Sequence, residues 1–534
     1  MDFNYKQAIK KIRREELKGN NHIPDILSFL HLKPLYEGNL FEILNQIFSD
    51  YESDRKNPDP LLRIDVPKPN FTIRPMSRPE TKDWILFEAI VEYIAKRILE
   101  NNEEHICERS YSFLNFRQTN KETNNWIKFD DKCRELYTSG YKFAVAADLT
   151  AYYENISLSE LRRRIFNYLN DADNEDNKVV GFLFKLLNKW SDERVSGYGL
   201  PQGPPASAFL ADIYLDYVDS QMEKYENYYR YMDDIRIFCK TEVEAKKALK
   251  DLIIALRWIK LNINAKKTKI LSGKDIELNL FDPLKSSLNL IESILKGRNM
   301  EQIKAVIPPL IKIFESSFLD DSFEKSHLNF SLYRLGVLQA SGIELDNSKI
   351  ISLIKENFIT KPHHTGLFCF FLTLFPTRED VFNFLISFLG FEHNIYEWQE
   401  IKILQSLLRF NAKPSSQQIK FFIESAKDSN KHYAARAFYF LLVGKHGNNR
   451  DREPIVDCYY STSNPYIKNS IILAVQELGQ PSRNDFYSRI KRNETDNELV
   501  KFLDYVKSLK HPLYYLDIGK PKLEGLAEGE PSPY

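Results

Sequence analysis

The sequence predicts two architectures in tandem: an α+β domain over residues 1–285 and an all-α domain over residues 286–518, with a short tail at 519–534. Three observations carry this reading. Short buried-strand patterns, Phe143-Ala144-Val145-Ala146-Ala147 and Ile235-Arg236-Ile237-Phe238, occur in the first region among helical stretches such as 83–99 and 241–261. Beyond residue 286 strand-like alternation fades, and apolar residues recur at i, i+3 and i+4. A chain of 534 residues is also too long for one ordinary hydrophobic core. The tail is rich in Gly, Pro and Glu and is expected to be a mobile end.

The all-α elements follow in order at 300–318, 348–358, 378–389, 397–410, 415–426, 432–443 and 466–478. Breakers such as Asn411-Ala412-Lys413-Pro414 and Gly479-Gln480-Pro481 separate them. In the better-patterned stretches the spacing of helix starts is that of a HEAT-like helical-repeat array. A non-repetitive bundle is the plainer alternative, because no crisp consensus repeats. Phe368, Phe370, Phe371 and Phe375 suit the core of such an array better than an exposed interface.

Composition narrows the function. Hydrophobic residues at 43% and charged residues at 28% exclude wholesale disorder. Lys+Arg and Asp+Glu both number 74, so a protein that grips a long duplex by net charge alone is disfavoured, while local basic stripes remain open. Five scattered cysteines without a CxxC pair argue against a disulfide framework or zinc site and fit a reducing cytosol. No apolar signal core opens the chain, and no apolar run reaches the roughly 20 residues needed to span a bilayer. The expectation is a cytoplasmic protein without membrane contact.

The chemistry lies in the first region. Tyr231-Met232-Asp233-Asp234 sits between strand-forming residues, as at a β-hairpin tip. Adjacent carboxylates repel unless solvated or bound to a cation, and Mg²⁺ accepts hard oxygen ligands. Asp148 directly follows the strand 143–147 and could complete a three-carboxylate cluster that activates a 3′-hydroxyl and stabilises a leaving pyrophosphate. The plainer readings are an acidic turn for the pair and a helix N-cap for Asp148. Gly199-Leu200-Pro201-Gln202-Gly203-Pro204-Pro205 forms an unusual turn, with Ser207 placed to start a helix through 215. Such a turn brings backbone near a nucleotide, or is an ordinary loop. Lys266, Lys267 and Lys269 could meet a triphosphate, or form a solvated turn.

Taken together, these segments resemble a reverse transcriptase, whose catalytic palm is the central sheet of a right-hand polymerase. Tyr231-Met232-Asp233-Asp234 matches the YxDD signature, the Asp148 segment resembles the first metal-binding motif, and Leu200-Pro201-Gln202-Gly203 the template and nucleotide loop. Asn264-Ala265-Lys266-Lys267-Thr268 resembles the lysine motif. Arg74-Pro75-Met76-Ser77-Arg78-Pro79 with Asp83, and the block from Arg109 to Arg117, resemble fingers motifs of bacterial and group II intron-type enzymes. The resemblance implies fingers and palm over 1–285 and a nucleotidyltransferase with two Mg²⁺ ions, for which Mn²⁺ can substitute. Asp148, Asp233 and Asp234 would hold the metals with the Leu149 carbonyl. Tyr153 would stand at the steric gate that favours deoxynucleotides, Gln202 would contact the nucleotide, Lys267 would lie near the triphosphate and Arg74 would contact phosphate from the fingers.

The sequence departs from the family pattern in the fingers, where Arg78 replaces an apolar residue and Trp84 an arginine. No second acidic constellation, appended nuclease pattern, retron-type signature or obvious thumb is apparent. A reverse transcriptase region followed by helical repeats resembles the abortive-infection and other defence-associated bacterial enzymes. That class implies deoxynucleoside triphosphates as substrates, a DNA product, untemplated, internally templated or protein-primed synthesis, a homo-oligomer assembled through the helical domain, and in some members a bound non-coding RNA. The alternatives are a templated enzyme of a retron-like or group II intron-like retroelement, and a dead scaffold.

Overall fold

The computed structural model describes residues 3–17, 40–107, 110–111, 125–169, 172–191, 195–319, 324–515 and 523. The tail read at 519–534 lies outside the described residues except for Leu523. Of the block from Arg109 to Arg117, only Ser110 and Tyr111 are described. The chain divides into two compact units. The first comprises residues 3–14, Leu40–Leu62 and Ser77–Ser287. The second takes in Arg63–Met76 and the chain from Leu288 onward.

The first unit is built around a four-stranded antiparallel sheet. Besides the short strands β1 (Leu62–Pro67) and β2 (Ile73–Arg78), the chain forms β3 (Phe143–Ala147), β4 (Tyr228–Tyr231), β5 (Asp234–Cys239) and β6 (Lys269–Ser272). The larger sheet runs β4-β5-β3-β6. Its register pairs Phe143 with Cys239 and Ala147 with Ile235 on one side of β3, and Phe143 with Ser272 on the other. The strand readings at 143–147 and 235–238 are therefore correct. The fourth strand, β6, was missed, because Lys269 at its start read as part of a solvated basic turn with Lys266.

Period-two alternation explains the layering. Ala144, Ala146, Phe238 and Leu271 face one core with Phe129, Cys133 and Leu136 of the helix α4 (Asn125–Thr138). The helices α7 (Pro205–Met222) and α8 (Glu242–Trp258) pack together, and α8 lies on β3 and β5. The helix expected from Ser207 starts two residues earlier, at Pro205, where a missing N–H costs nothing.

Helices α1 (Tyr5–Leu17), α2 (Leu40–Glu52), α3 (Thr81–Cys107), α5 (Leu158–Leu169) and α6 (Asn174–Trp190) complete the helical elements before the sheet's last strands. At the start of α3 the two fingers departures meet: the buried Arg78 guanidinium lies 5.5 Å from the centre of the buried Trp84 ring. Trp84 Nε1 donates to Glu88 at 3.2 Å, and Glu88 accepts from the Ala206 amide at 3.1 Å, at the head of α7. Asp83 is fully buried. It accepts from the Tyr51 hydroxyl at 2.7 Å and from the Asp59 amide at 2.8 Å.

In the second unit every described regular element from Leu288 onward is helical: most of α10 (Lys285–Gly297, after α9, Lys274–Leu280), then α11 (Met300–Ser316), α12 (Glu324–Ala340), α13 (Asn347–Asn357), α14 (Thr365–Leu372), α15 (Glu379–Leu389), α16 (Glu397–Leu407), α17 (Ser416–Lys427), α18 (Tyr433–His446), α19 (Asn449–Tyr460), α20 (Pro465–Ala474), α21 (Gln480–Asn493) and α22 (Asn497–Ser508). The even-numbered helices from α12 to α22 stack one on the next, and α15, α17, α19 and α21 pack against that row. Phe368 and Phe371 are buried inside it. Among the described residues no helix is long and apolar enough to cross a membrane.

Burial and the nearby Glu80 push the Asp83 carboxyl up to about 7, against the opposing hydrogen bonds from Tyr51 and Asp59. The folded state therefore holds this proton more tightly than the unfolded chain, whose Asp titrates near about 4. Stability from the protonated form is fully present below that value and is lost as pH rises through about 7. In calorimetric melts, Asp83→Asn should gain on the wild type between pH 5 and pH 8. An unchanging difference would refute this.

Candidate active site

The sheet places the predicted acids at one end. Asp148 lies one residue beyond Ala147, whose partner is Ile235, so the register sets Asp148 opposite Asp234. Tyr231 pairs with Asp234, which leaves Met232 and Asp233 as a two-residue hairpin connection. Met232 turns there at φ 55°, a left-handed conformation that costs an unbranched non-glycine residue about 1–2 kcal/mol. Asp148 does not cap a helix; it continues the strand into a bridge between Leu149 and Ile263.

That bridge orients Leu149. The Asn264 amide donates to the Asp148 carbonyl at 2.7 Å, and the Thr150 amide to the Asn262 carbonyl at 2.9 Å. Leu149 is thus the non-hydrogen-bonded member between two ladder bonds, and its own carbonyl points away from 262–264, toward the hairpin side. Asn264 Nδ2 also reaches Asp148 Oδ2 at 3.5 Å.

Opposed carboxylates on adjacent strands repel. Each is met by a cation. Arg236, two residues along β5, pairs with Asp234, with Nη2 3.0 Å from Oδ2. Lys267 Nζ lies 3.1 Å from Asp148 Oδ2. Burial pushes the Asp234 carboxyl up to about 6; Arg236 opposes this, and Asp233 and Asp148 add to it. Among the described residues no three His, Cys, Asp or Glu side chains converge tightly enough to hold one ion. Asp234 and Asp148 are engaged by Arg236 and Lys267, while Asp233 and Asp148 both act electrostatically on Asp234. The donor set still fits a hard divalent cation, since it offers carboxylate oxygens and a backbone carbonyl at one strand end.

The remaining predicted residues fall in two places. Tyr153 is half-buried in a 3₁₀ turn, five residues after Asp148. Its carbonyl accepts from the Leu200 amide at 3.0 Å, and the Ile156 carbonyl accepts from Gly199 at 2.9 Å. Gly199 takes φ 93° there, which favours glycine. The Gln202 carbonyl accepts from the Ser77 amide at 2.8 Å, so this loop is tied to the strand before α3. Arg74 is exposed on β2, in the segment that groups with the second unit.

Sequence reasoning missed Arg230. Its guanidinium is fully buried and bonded to Asp219 at 2.7–3.0 Å and Asp212 at 2.5 Å, both on α7. Tyr228 donates to Asp219 at 2.6 Å, and Arg230 Nη1 reaches the Met232 carbonyl at 3.5 Å. A signal was present: alternation turns Arg230 inward with Tyr228, and the two acids sit seven residues apart on one face of an apolar helix.

The reverse transcriptase (RNA-dependent DNA polymerase) family profile matches residues 66–305. The chain contains a reverse transcriptase domain. By family, that domain is a nucleotidyltransferase, an RNA-directed DNA polymerase. Relatives include the COX1/OXI3 intron 1 and intron 2 proteins of Saccharomyces cerevisiae, each 23% identical over 192 and 225 residues respectively. Those alignments cover 35% and 41% of this chain but only 21% and 23% of the relatives, so the match spans about a fifth of their length. Among solved structures, apo telomerase from Candida tropicalis truncated from its C-terminal domain matches at TM-score 0.31 and 15% identity, over 44% of this chain and 56% of that one. Telomerase from Candida albicans with a fragment of telomeric RNA gives 0.32 and 10%, over 73% and 67%. Scores this low carry no argument about this chain.

Breaking a buried ion cluster by removing one partner typically costs 3–5 kcal/mol. Arg230→Met should lower the stability of the reverse transcriptase domain by about that amount, read as a fall in the denaturant midpoint. Adding Asp212→Asn and Asp219→Asn should recover part of it.

Proposed function

We propose that the protein is a Mg²⁺-dependent DNA polymerase that adds deoxynucleotides to a 3′-hydroxyl at the end of the β4-β5-β3-β6 sheet. The observation that carries this is the alignment of Asp148, Asp233 and Asp234 at one sheet end, with Lys267 3.1 Å from Asp148. In the reaction the 3′-hydroxyl gives up its proton to solvent and its oxygen bonds to the α-phosphorus, while the bond from the α-phosphorus to the bridging oxygen breaks and pyrophosphate leaves. The three aspartates and the Leu149 carbonyl would hold two magnesium ions, or manganese, which when bound would supply Lewis-acid activation and charge neutralisation.

The chain's own residues do the rest. Lys267 moves its charge from Asp148 to the triphosphate. The Tyr153 ring fills the space of a ribose 2′-hydroxyl, and Gln202 sits on the loop bonded to Ser77 where a nucleotide base would stack. Arg236 holds Asp234 in place, while Arg230 and Asn264 fix the two backbones that present the acids.

The defence role in bacteria, with synthesis that is untemplated, internally templated or protein-primed, rests on the resemblance to the abortive-infection class. The two-row packing of the second unit supports the repeat reading and offers long faces for a homo-oligomer or a non-coding RNA. A templated intron-type polymerase is the second reading, favoured by the two yeast intron relatives.

Purified protein given Mg²⁺ and labelled deoxynucleotides, without primer or template, separates these readings. Product under those conditions supports the defence class; product only after an RNA template and primer are added supports the intron-type reading. In either case Asp233→Ala with Asp234→Ala, or chelation of divalent metal, should reduce incorporation to background. Silence of the wild type under both conditions would refute a polymerase. Tyr153→Val should raise ribonucleotide incorporation relative to deoxynucleotide by roughly 10- to 100-fold.

A further inference from the structure

Helix α8 presents a cationic pattern on one face. Its inner side, Ala245, Ala248, Leu252, Ala255 and Leu256, is buried against the sheet and α7. Its outer side carries Lys247, Lys250, Ile254, Arg257 and Trp258, all exposed, with Ile254 at 44% and Trp258 at 75%. The helical period puts these five on one stripe. From Lys247 to Trp258 the stripe covers about 16 Å of helix axis.

The acids of α8 do not neutralise it. Glu242 pairs with Lys246 at 2.6 Å, Asp251 with Lys224 at 2.5 Å and with the Tyr225 hydroxyl at 2.9 Å, and Glu244 accepts from the Lys240 amide at 2.9 Å. Lys247, Lys250 and Arg257 make no ion pair with any described residue. In a chain of zero net charge, three unpaired cations and an exposed indole on one helix face are a polyanion's complement.

The stripe also has a direction. α8 ends where the chain returns to the acids: Lys260 donates to the Tyr198 hydroxyl at 2.9 Å, and Asn262 and Asn264 bond Thr150 and Asp148. Trp258 therefore stands at the catalytic end of the helix, and the lysines trail away from it.

We propose that the outer face of α8 binds single-stranded nucleic acid, with phosphates on Lys247, Lys250 and Arg257 and a base stacked on Trp258, and guides that strand toward or away from the acid cluster. Cationic side chains following a backbone, interrupted by an aromatic platform, are what sequence-tolerant strand binding requires. The proposal rests on the polymerase reading only for the purpose of the strand; the binding itself is read without nucleotides or metal.

The test is equilibrium binding of fluorescent 12-nucleotide oligothymidylate and oligouridylate to the full chain across a salt series. The combined Lys247→Glu, Lys250→Glu and Arg257→Glu variant should bind at least tenfold more weakly, with the slope of log affinity against log salt reduced by about 2. Trp258→Ala should lose roughly tenfold with the slope unchanged. The Asp233→Ala, Asp234→Ala protein should bind like the wild type, so failed synthesis cannot pass for failed binding. A preference between the two oligomers identifies DNA or RNA as the strand. Unchanged affinity and slope in the triple variant would overturn the proposal. So would substitutions that alter self-association, or sedimentation with phosphatidylserine vesicles, while leaving oligonucleotide binding intact.

Discussion

The buried cluster of Arg230, Asp212 and Asp219 is the constraint on which the catalytic end depends. One guanidinium spans two carboxylates a helix-face repeat apart on α7, and the same side chain belongs to the strand that leads directly into Tyr231-Met232-Asp233-Asp234. Desolvating three charges gives no assured gain in stability, and an apolar triplet of the same volume would fill the space as well. What the cluster does that apolar residues would not is fix direction. A forked donor bound on both sides admits one register of β4 against α7, and the Met232 carbonyl falls within its reach. The left-handed turn at Met232 persists because its flanks are held this firmly.

A second constraint acts across the sheet. Antiparallel pairing that brings Asp148 opposite Asp234 concentrates negative charge at a strand end, and the fold answers with Arg236 on one acid and Lys267 on the other. These two cations differ in kind. Arg236 is bound through the fork of a half-buried guanidinium on the same strand, so it stays with Asp234. Lys267 is a mostly exposed point charge on a flexible stem, and its pairing across a solvated gap is weak. A divalent ion at Asp148 would therefore displace Lys267 at little cost, whereas Asp234 would keep its arginine. That asymmetry leaves Asp148 more open to a divalent ion than Asp234.

Much of this was legible in the sequence, for identifiable reasons. Strands 143–147 and 235–238 were readable because buried strands are continuous apolar runs, and the hairpin tip because two acids interrupt them. Seven helices of the second unit were readable from their apolar spacing, 378–389 and 415–426 among them, whereas Glu324–Ala340, Thr365–Leu372, Asn449–Tyr460, Gln480–Asn493 and Asn497–Ser508 were not read. β6 was not: Lys269-Ile270-Leu271-Ser272 has only two apolar residues, and its strand character comes from pairing with β3, a long-range contact. Arg236 escaped notice because a single arginine in a strand reads as a solvent-facing residue until the register shows Asp234 beside it. Trp84 and Arg78 looked like two separate departures from a family pattern. The structure brings the two together, with the Arg78 guanidinium over the Trp84 ring at 5.5 Å from its centre.

The two kinds of positive charge in the reverse transcriptase domain follow from burial. Arg230 and Arg236 lie where water is scarce, and each is matched to carboxylates through planar, bidentate contacts that leave little field outside the protein. Lys247, Lys250 and Arg257 lie on the outer face of α8 and make no ion pair with a described residue, although Lys250 acts on neighbouring Asp251. A balance of 74 acids and 74 bases hides this segregation, because internal pairs cancel in the sum and contribute nothing at a distance. Whatever attraction the domain exerts on a phosphate backbone must come from the unpaired set. The α8 stripe, ending at Trp258 beside the segment that returns to Asp148, gathers three such cations on one helix face.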